Sequence, residues 1–182
     1  MALSFTKMHG LGNDFAVVDG VTQAVNLTAG QIKAFADRQL GIGYDQLLLI
    51  EPPSQPDVDF NYRIFNVDGG EVEHCGNGAR CFALFVRAKG LSQKNPIIVK
   101  TLNRVLSLSF EESGDIAVDM EKPILEPAHL PFRSDRRLAK YHRTLTVGGV
   151  NLEVEFGAVS MGNPHAVIIV EDLENAAVKE IG

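Results

Sequence analysis

Short apolar runs separated by loops rich in glycine, asparagine and aspartate dominate this sequence, and they restrict it to a fold built mainly of strands. Residues 58–64 alternate between apolar and polar side chains, the period of a half-buried strand. Further strand patterns lie at 3–8, 15–18, 46–50, 97–101, 105–110, 116–120, 142–147, 150–156, 158–161 and 166–170. Helical spacing is confined to residues 28–41, 76–90 and a short piece at 173–181. The pattern predicts an α/β (α+β) fold in which many strands surround a few helices.

A proline-rich stretch divides this pattern into two parts. Residues 123–131 contain three prolines and are typical of a linker. Residues 1–120 before it hold a complete set of strands and helices, whereas residues 121–182 begin a second unit that does not finish. A unit of roughly 60 residues buries only about 60% of its unfolded surface. We therefore expect residues 1–120 to be the stable half and residues 121–182 to be an incomplete one.

Composition and charge restrict the class of partner. A net charge of -6 argues against nucleic acid or an anionic membrane. No apolar run approaches the roughly 20 residues that span a bilayer, and the first residues lack the pattern of a signal peptide. Two cysteines without a secretion signal are typical of a reducing compartment. We expect a cytoplasmic protein that acts on a small molecule.

Residues 74–80, HCGNGAR, place Cys75 at a glycine-rich turn that opens a helix. The N–H groups at a helix start favour negative charge in a bound carboxylate and in a thiolate alike, so Cys75 is a candidate base or nucleophile. The alternative is a buried structural cysteine. Cys75 and Cys81 have an unusual spacing for metal ligands and no histidine cluster accompanies them, so no metal is expected. Nothing indicates pyridoxal phosphate or another large cofactor.

Three more loops combine glycine with amide side chains, at residues 10–14, 41–46 and 66–70. Amides both donate and accept hydrogen bonds, and glycine allows close backbone approach. These features suit a zwitterionic ligand such as a free amino acid, although Gly, Asn and Asp are also ordinary turn residues. A dinucleotide site at Gly10 and Gly12 is excluded because no helix follows and the third glycine is missing.

A fifth candidate loop lies in the second part, at residues 160–165. Asn163 precedes a proline and is restricted to extended geometry, so the loop would present Asn163 and His165 rigidly. Histidine can stabilise a thiolate, although a lone histidine near a strand is often structural. A Cys–His hydrolase is a further alternative, with Cys75 as nucleophile and His74 or His165 as base.

Five ordered motifs resemble those of the bacterial diaminopimelate epimerase family. They are MHGLGNDF at 8–15, GIGYDQ at 41–46, FNVDG at 65–69, CGNGARC at 75–81 and MGNPH at 161–165. The resemblance implies two pseudo-symmetric halves, each a strand-rich shell around a central helix, with the second half incomplete here. It also implies a homodimeric, pyridoxal-phosphate-independent isomerase that interconverts LL- and meso-diaminopimelate for lysine and peptidoglycan synthesis.

The resemblance further implies a two-base mechanism, in which one cysteine thiolate removes the α-proton and a thiol on the opposite face returns one. Cys75 would be the base, and His165 would tune the cysteines. Gly76 and Asn77 would bind the α-carboxylate through the start of the helix. The remaining substrate contacts would be Asn13, Gln46, Asn66 and Asn163.

The family carries its second cysteine in another helix-opening motif of the second half, which this sequence does not contain. Cys81 lies about 240° around a helix and roughly 9 Å along it from Cys75, so we expect it to be a packing residue. We therefore expect a truncated chain with one half-site that does not epimerise alone. The alternatives are a non-catalytic amino-acid-binding half-site and a related isomerase acting on another amino acid, such as a proline derivative.

Overall fold

The computed structural model describes residues 3–73 and 75–181, in two compact units at residues 1–120 and 121–182. In the first unit the strands are β1 (Phe5–Gly10), β2 (Asn13–Asp19), β3 (Gln46–Glu51), β4 (Phe60–Asn66), β5 (Glu71–Val72), β6 (Ile97–Lys100), β7 (Val105–Phe110) and β8 (Ile116–Asp119). The helices are α1 (Ala29–Ala36) and α2 (Gly76–Ala88). Apart from β5, each lies where the sequence pattern predicts it, although α1 ends at Ala36 and not near residue 41.

The strands of the first unit form one mixed sheet, in the order β1-β2-β3-β4-β6-β7-β8, with β5 paired to β4. The pairs β2–β3 and β4–β6 are parallel, and such pairs need crossover connections, which contain α1 and α2. Strands β1 and β2, whose strand patterns are separated by the loop at residues 10–14, form a hairpin. Its two turn residues, Leu11 and Gly12, both have positive φ, the geometry of a type I′ turn.

Alternation along the strands sends side chains into two cores. Phe15 and Val17 of β2 pack with α2, whereas Ala16 and Val18 on the opposite face pack with α1. Helix α2 contacts the end strands β1 and β8 as well as β2, β3 and β7, so the sheet curves around this helix. Helix α1 begins with a capping box in which Thr28 Oγ1 accepts the Gln31 N–H.

The second unit is a three-stranded antiparallel sheet with β10 (Val150–Ser160) between β9 (Tyr141–Val147) and β11 (Pro164–Val167). We expected two strands where β10 is one, because Gly157 suggested a break. The partner changes there instead: β9 pairs with β10 up to Phe156, and β11 pairs with it from Gly157 onwards. Because β10 has a hydrogen-bonding partner along its whole length, the strand continues through Gly157.

Two further expectations for the second unit are wrong in part. The proline-rich stretch is more than a linker, because Ile124 exchanges two backbone hydrogen bonds with Ser160 and Pro127–His129 form a 3-10 helix. The helix expected at 173–181 is limited to α3 (Val178–Ile181). Asp172 Oδ1 accepts the N–H groups of Glu174 and Asn175, which forms a turn ahead of α3.

Candidate active site

The glycine-rich loops of the first unit meet at one end of its sheet. Gly10, the last residue of β1, is paired with Asn13, the first residue of β2. Phe15 of β2 is paired with Gln46, which opens β3, and Gln46 is paired with Asn66, which ends β4. Three candidate substrate-binding amides therefore lie at neighbouring strand ends.

Helix α2 begins at the same end, and Cys75 is its N-cap residue, with extended backbone angles. Cys75 Sγ accepts the Gly78 N–H at 3.4 Å, and the Cys75 carbonyl accepts the Ala79 N–H at 2.8 Å. The first N–H groups of a helix have no partner inside it, so those of Gly76 and Asn77 are the donors that we expect to meet an anion. Cys75 is half-buried against the α2 core. The thiol and the candidate anion-binding end of the helix thus occupy one turn.

A tyrosine that the sequence patterns did not single out supports this turn. Tyr62 is fully buried, and its hydroxyl lies 3.5 Å from the Cys75 carbonyl oxygen. Burial raises the pKa of Tyr62 well above its usual value, and Cys75 adds to the shift, so the hydroxyl stays protonated. A Cβ at Gly78 would come closer than 3.0 Å to that hydroxyl, so only glycine fits. In the sequence, Tyr62 is one apolar position of an alternating strand, which indicated burial but no partner.

The hairpin tip holds the other side of the same turn. Asn77 Nδ2 donates to Asn13 Oδ1 at 2.7 Å, and the Arg80 guanidinium donates to Asn77 Oδ1. A Cβ built on Gly10 would lie 3.5 Å from the Asn77 carbonyl oxygen, an ordinary contact distance, so the strand end packs directly on the helix. The structure therefore brings Asn13 and Asn77 together, with their side chains bonded to each other.

Gln46 and Asn66 form a second amide pair. Gln46 Nε2 donates to Asn66 Oδ1 at 3.0 Å. Within residues 3–73 and 75–181, Gln46 Oε1 is buried and has no hydrogen-bond partner. Buried polar atoms are nearly always paired in folded proteins, so this oxygen is a candidate acceptor for a ligand donor.

Cys81 lies in the core, as expected for a packing residue. It is 4% exposed, and its Sγ would be 3.7 Å from a Cβ built on Gly10. Burial raises the pKa of the Cys81 thiol, so it stays protonated in this apolar setting. Both its direction on the helix and its burial argue against a role as the second proton carrier at the carbon that Cys75 would face.

The second-unit candidates lie at the turn between β10 and β11. The Asn163 carbonyl accepts the Met161 N–H at 3.1 Å, and His165 is paired with Val159 across the sheet. His165 is exposed and borders a cavity of about 210 Å³ with apolar neighbours, among them Phe132. The substrate contact of Asn163 and the tuning role of His165 stay predictions. His74, the other base considered for a hydrolase, lies outside the described residues.

No group of three or more His, Cys, Asp or Glu side chains among residues 3–73 and 75–181 is placed to hold a metal ion. Over the same residues, no helix has both the length and the apolar character needed to cross a membrane.

The fold is shared with solved epimerases and racemases. A hydroxyproline epimerase from Agrobacterium vitis, solved with bound trans-4-hydroxy-L-proline, matches with a TM-score of 0.66 and 14% identity over 94% of this chain and 53% of its own. A probable proline racemase from Agrobacterium radiobacter K84, solved with bound carbonate, matches with a TM-score of 0.67 and 12% identity. The match covers 98% of this chain and 56% of the racemase. A predicted epimerase from Pseudomonas aeruginosa matches with a TM-score of 0.54 and 16% identity, over 98% of this chain and 67% of its own.

These matches confirm the expected α/β architecture, and the chain spans about half the length of the first two structures. The family model for diaminopimelate epimerase matches residues 5–126, well over half of the chain. The solved structures show the fold, and the family match defines a domain of the cofactor-independent isomerase and epimerase class. Within that class, the chain belongs to the diaminopimelate epimerase family, which confirms the resemblance indicated by the five motifs.

Proposed function

We propose that this chain carries one half-site of a diaminopimelate epimerase, in which the Cys75 thiolate removes the α-proton. The observation that supports this most strongly is the position of Cys75 as N-cap of α2. Its Sγ accepts the Gly78 N–H, and the N–H groups of Gly76 and Asn77 belong to the same first turn of the helix. A base and an anion site one residue apart suit an α-amino acid, whose acidic C–H and carboxylate are on one carbon.

The helix start would also stabilise the charge that develops during proton transfer. As the Cα–H bond breaks, its electron pair delocalises onto the α-carboxylate while the proton passes to Cys75 Sγ. Donors already aimed at that carboxylate act more strongly as its charge grows, which lowers the barrier. The Gly78 N–H supports negative charge on sulfur before the transfer.

The amide groups supply the remaining contacts of the proposal. Gln46 Oε1 is a buried acceptor in a side chain bonded to Asn66, and both residues lie at the same end of the sheet as Asn13. In the second unit Asn163 would contact substrate and His165 would tune the thiol. The family further suggests a homodimer, a cytoplasmic location and a place in lysine and peptidoglycan synthesis, all of which we include as proposals.

Inversion needs a second proton donor on the opposite face of the carbon. This sequence has two cysteines, and Cys81 is buried in the core. We therefore propose that the 182-residue chain alone exchanges the α-proton without inverting the carbon. The same observation favours a second candidate, a half-site that binds the amino acid and does not react with it.

The test is α-proton exchange in D₂O, followed by NMR with LL- and meso-diaminopimelate, using protein from a host that lacks its own epimerase. A single base faces one side of the carbon, so we expect deuterium in only one of the two isomers. The matched variants are Cys75→Ala, which should abolish exchange, and Cys81→Ala, which should retain it.

The other outcomes separate the alternatives. Inversion would show a second acid and refute the lone-base proposal. Binding without exchange, unaffected by Cys75→Ala, would establish the non-catalytic half-site. Exchange of a proline derivative but not of diaminopimelate would favour the related isomerase. Neither binding nor exchange would refute the proposed function of this chain.

A further inference from the structure

A charged cluster lies behind the candidate site, formed by residues that have no part in the proposed chemistry. Asp14 and Asp45 exchange hydrogen bonds: the Asp45 N–H donates to Asp14 Oδ1 at 3.0 Å, and the Asp14 N–H donates to Asp45 Oδ2 at 3.0 Å. Arg38 Nη2 lies 2.8 Å from Asp14 Oδ1 and 2.7 Å from Asp45 Oδ1. Lys7 Nζ lies 2.7 Å from Asp14 Oδ2. We name these four residues the Asp14–Asp45 clasp.

The two cations allow the two carboxylates to stay ionised side by side. The Arg38 hydrogen bond, helped by Lys7, holds the pKa of Asp14 well below its usual range. Without Arg38 the like charges would repel, which would loosen the side-chain contacts of Asp14 and Asp45 while the backbone pairing of β2 with β3 stays in place. Lys7 also donates to the Gly43 carbonyl, so the clasp joins the hairpin to that loop twice.

The clasp continues towards α2 through two amides. Asp45 Oδ2 lies 3.5 Å from Asn13 Nδ2, Asn13 Oδ1 accepts from Asn77 Nδ2 at 2.7 Å, and Asn77 Oδ1 accepts from Arg80. A carboxylate only accepts and a guanidinium only donates. The two charged ends therefore decide which way both amides point, so that each of these three contacts joins a donor to an acceptor.

We propose that Asp45 and Arg38 are positioning residues for the Cys75 site. They act through Asn13 and Asn77 to hold the first turn of α2, whose N–H groups would receive the α-carboxylate. This inference rests on the proposed function for its ligand, but the geometry it predicts can be measured without one. The Asn77 backbone is fixed because its side chain is held on both sides, by Asn13 and by Arg80.

The test measures how strongly diaminopimelate protects Cys75 from alkylation by iodoacetamide, together with the ¹⁵N side-chain amide signals of Asn13 and Asn77. The variants are Asp45→Asn, which keeps the shape but adds a donor, and Arg38→Ala. We expect the half-protecting concentration to rise about three- to fivefold in each, the range of a partly exposed ion pair. Arg38→Lys should recover part of the loss, since one ammonium can reach a carboxylate.

The control is Arg137→Ala, which removes a guanidinium of similar exposure, 55% against 57% for Arg38, from its pair with Glu126. The inference is refuted if diaminopimelate protects Cys75 as well in the clasp variants as in this control and both amide signals stay unmoved. If diaminopimelate does not protect the unmodified chain, the proposed function fails instead. In that case the amide signals of Asn13 and Asn77 test the clasp, and they must shift in Asp45→Asn and stay unmoved in the control.

Discussion

Gly78→Ala should destabilise the first unit, although alanine is the better helix former. The added Cβ would come closer than 3.0 Å to the Tyr62 hydroxyl and within 3.2 Å of a Leu48 methyl group. Tyr62 is fully buried, and its ring packs 4.8 Å from that of Phe82, so it has little room to move. Overpacking of this kind costs about 1–3 kcal/mol, which exceeds the roughly 1 kcal/mol that replacing a helical glycine can gain.

The matched control is Gly30→Ala in the first turn of α1. A Cβ there meets only Thr28 Oγ1, at 4.0 Å, so the same chemical change lacks the clash. We expect this control to stabilise the protein by about 0.5 kcal/mol. The two alanines should therefore shift the urea midpoint in opposite directions.

A double-mutant cycle isolates the cause. Tyr62→Phe removes the hydroxyl, so Gly78→Ala should cost less in that background, with a coupling energy of about 1–2 kcal/mol. The assay is urea unfolding followed by circular dichroism, with Cys75 alkylation as a local readout. Two results would refute the argument that the tyrosine hydroxyl requires glycine at this position. One is a double variant whose loss of unfolding free energy equals the sum of the two single losses, and the other is a Gly78→Ala variant as stable as Gly30→Ala.

Three further predictions follow from the same structure. Iodoacetamide should modify Cys75 far faster than Cys81, whose burial raises its pKa, and peptide mass spectrometry showing equal rates in the folded protein would contradict this. Because Asp14 has a depressed pKa when folded, its ion pairs stabilise the protein above the unfolded value of about 3.9 and are lost as the pH falls below it, so Arg38→Ala should flatten the acid limb of the stability curve. Asn66→Ala should cost about 1–2 kcal/mol, since it leaves the Gln46 amide nitrogen without its acceptor, and an unchanged urea midpoint would refute that.

Local periodicity was sufficient to predict most elements of the first unit. The alternation in β4 and the helical spacing in α2 both reflect which face each element buries, and that information lies within a few neighbouring residues. The signals that failed were also local. Gly157 indicated a break in β10, but pairing with two successive partners extends the strand past it.

The candidate site was harder to predict because it depends on register. Asn13, Gln46 and Asn66 are far apart in the sequence, and they meet because a parallel pair and an antiparallel pair align three strand ends. Tyr62 shows the same limit: its alternating strand predicts that it is buried, whereas its place beneath the Cys75 turn follows from how α2 crosses the sheet. No local pattern contains either fact.

In the proposed site, the Asn77 side chain would bring a compensating positive charge to the start of α2. A thiolate and an α-carboxylate would place two negative charges on one turn, and a helix N-terminus offsets only about half a unit charge. Asn77 Oδ1 holds the Arg80 guanidinium against this turn, which brings a full positive charge to it. The backbone N–H of Asn77, which has no partner within the helix, would then donate to the ligand. One residue can therefore serve the anion through its backbone and fix the compensating cation through its side chain.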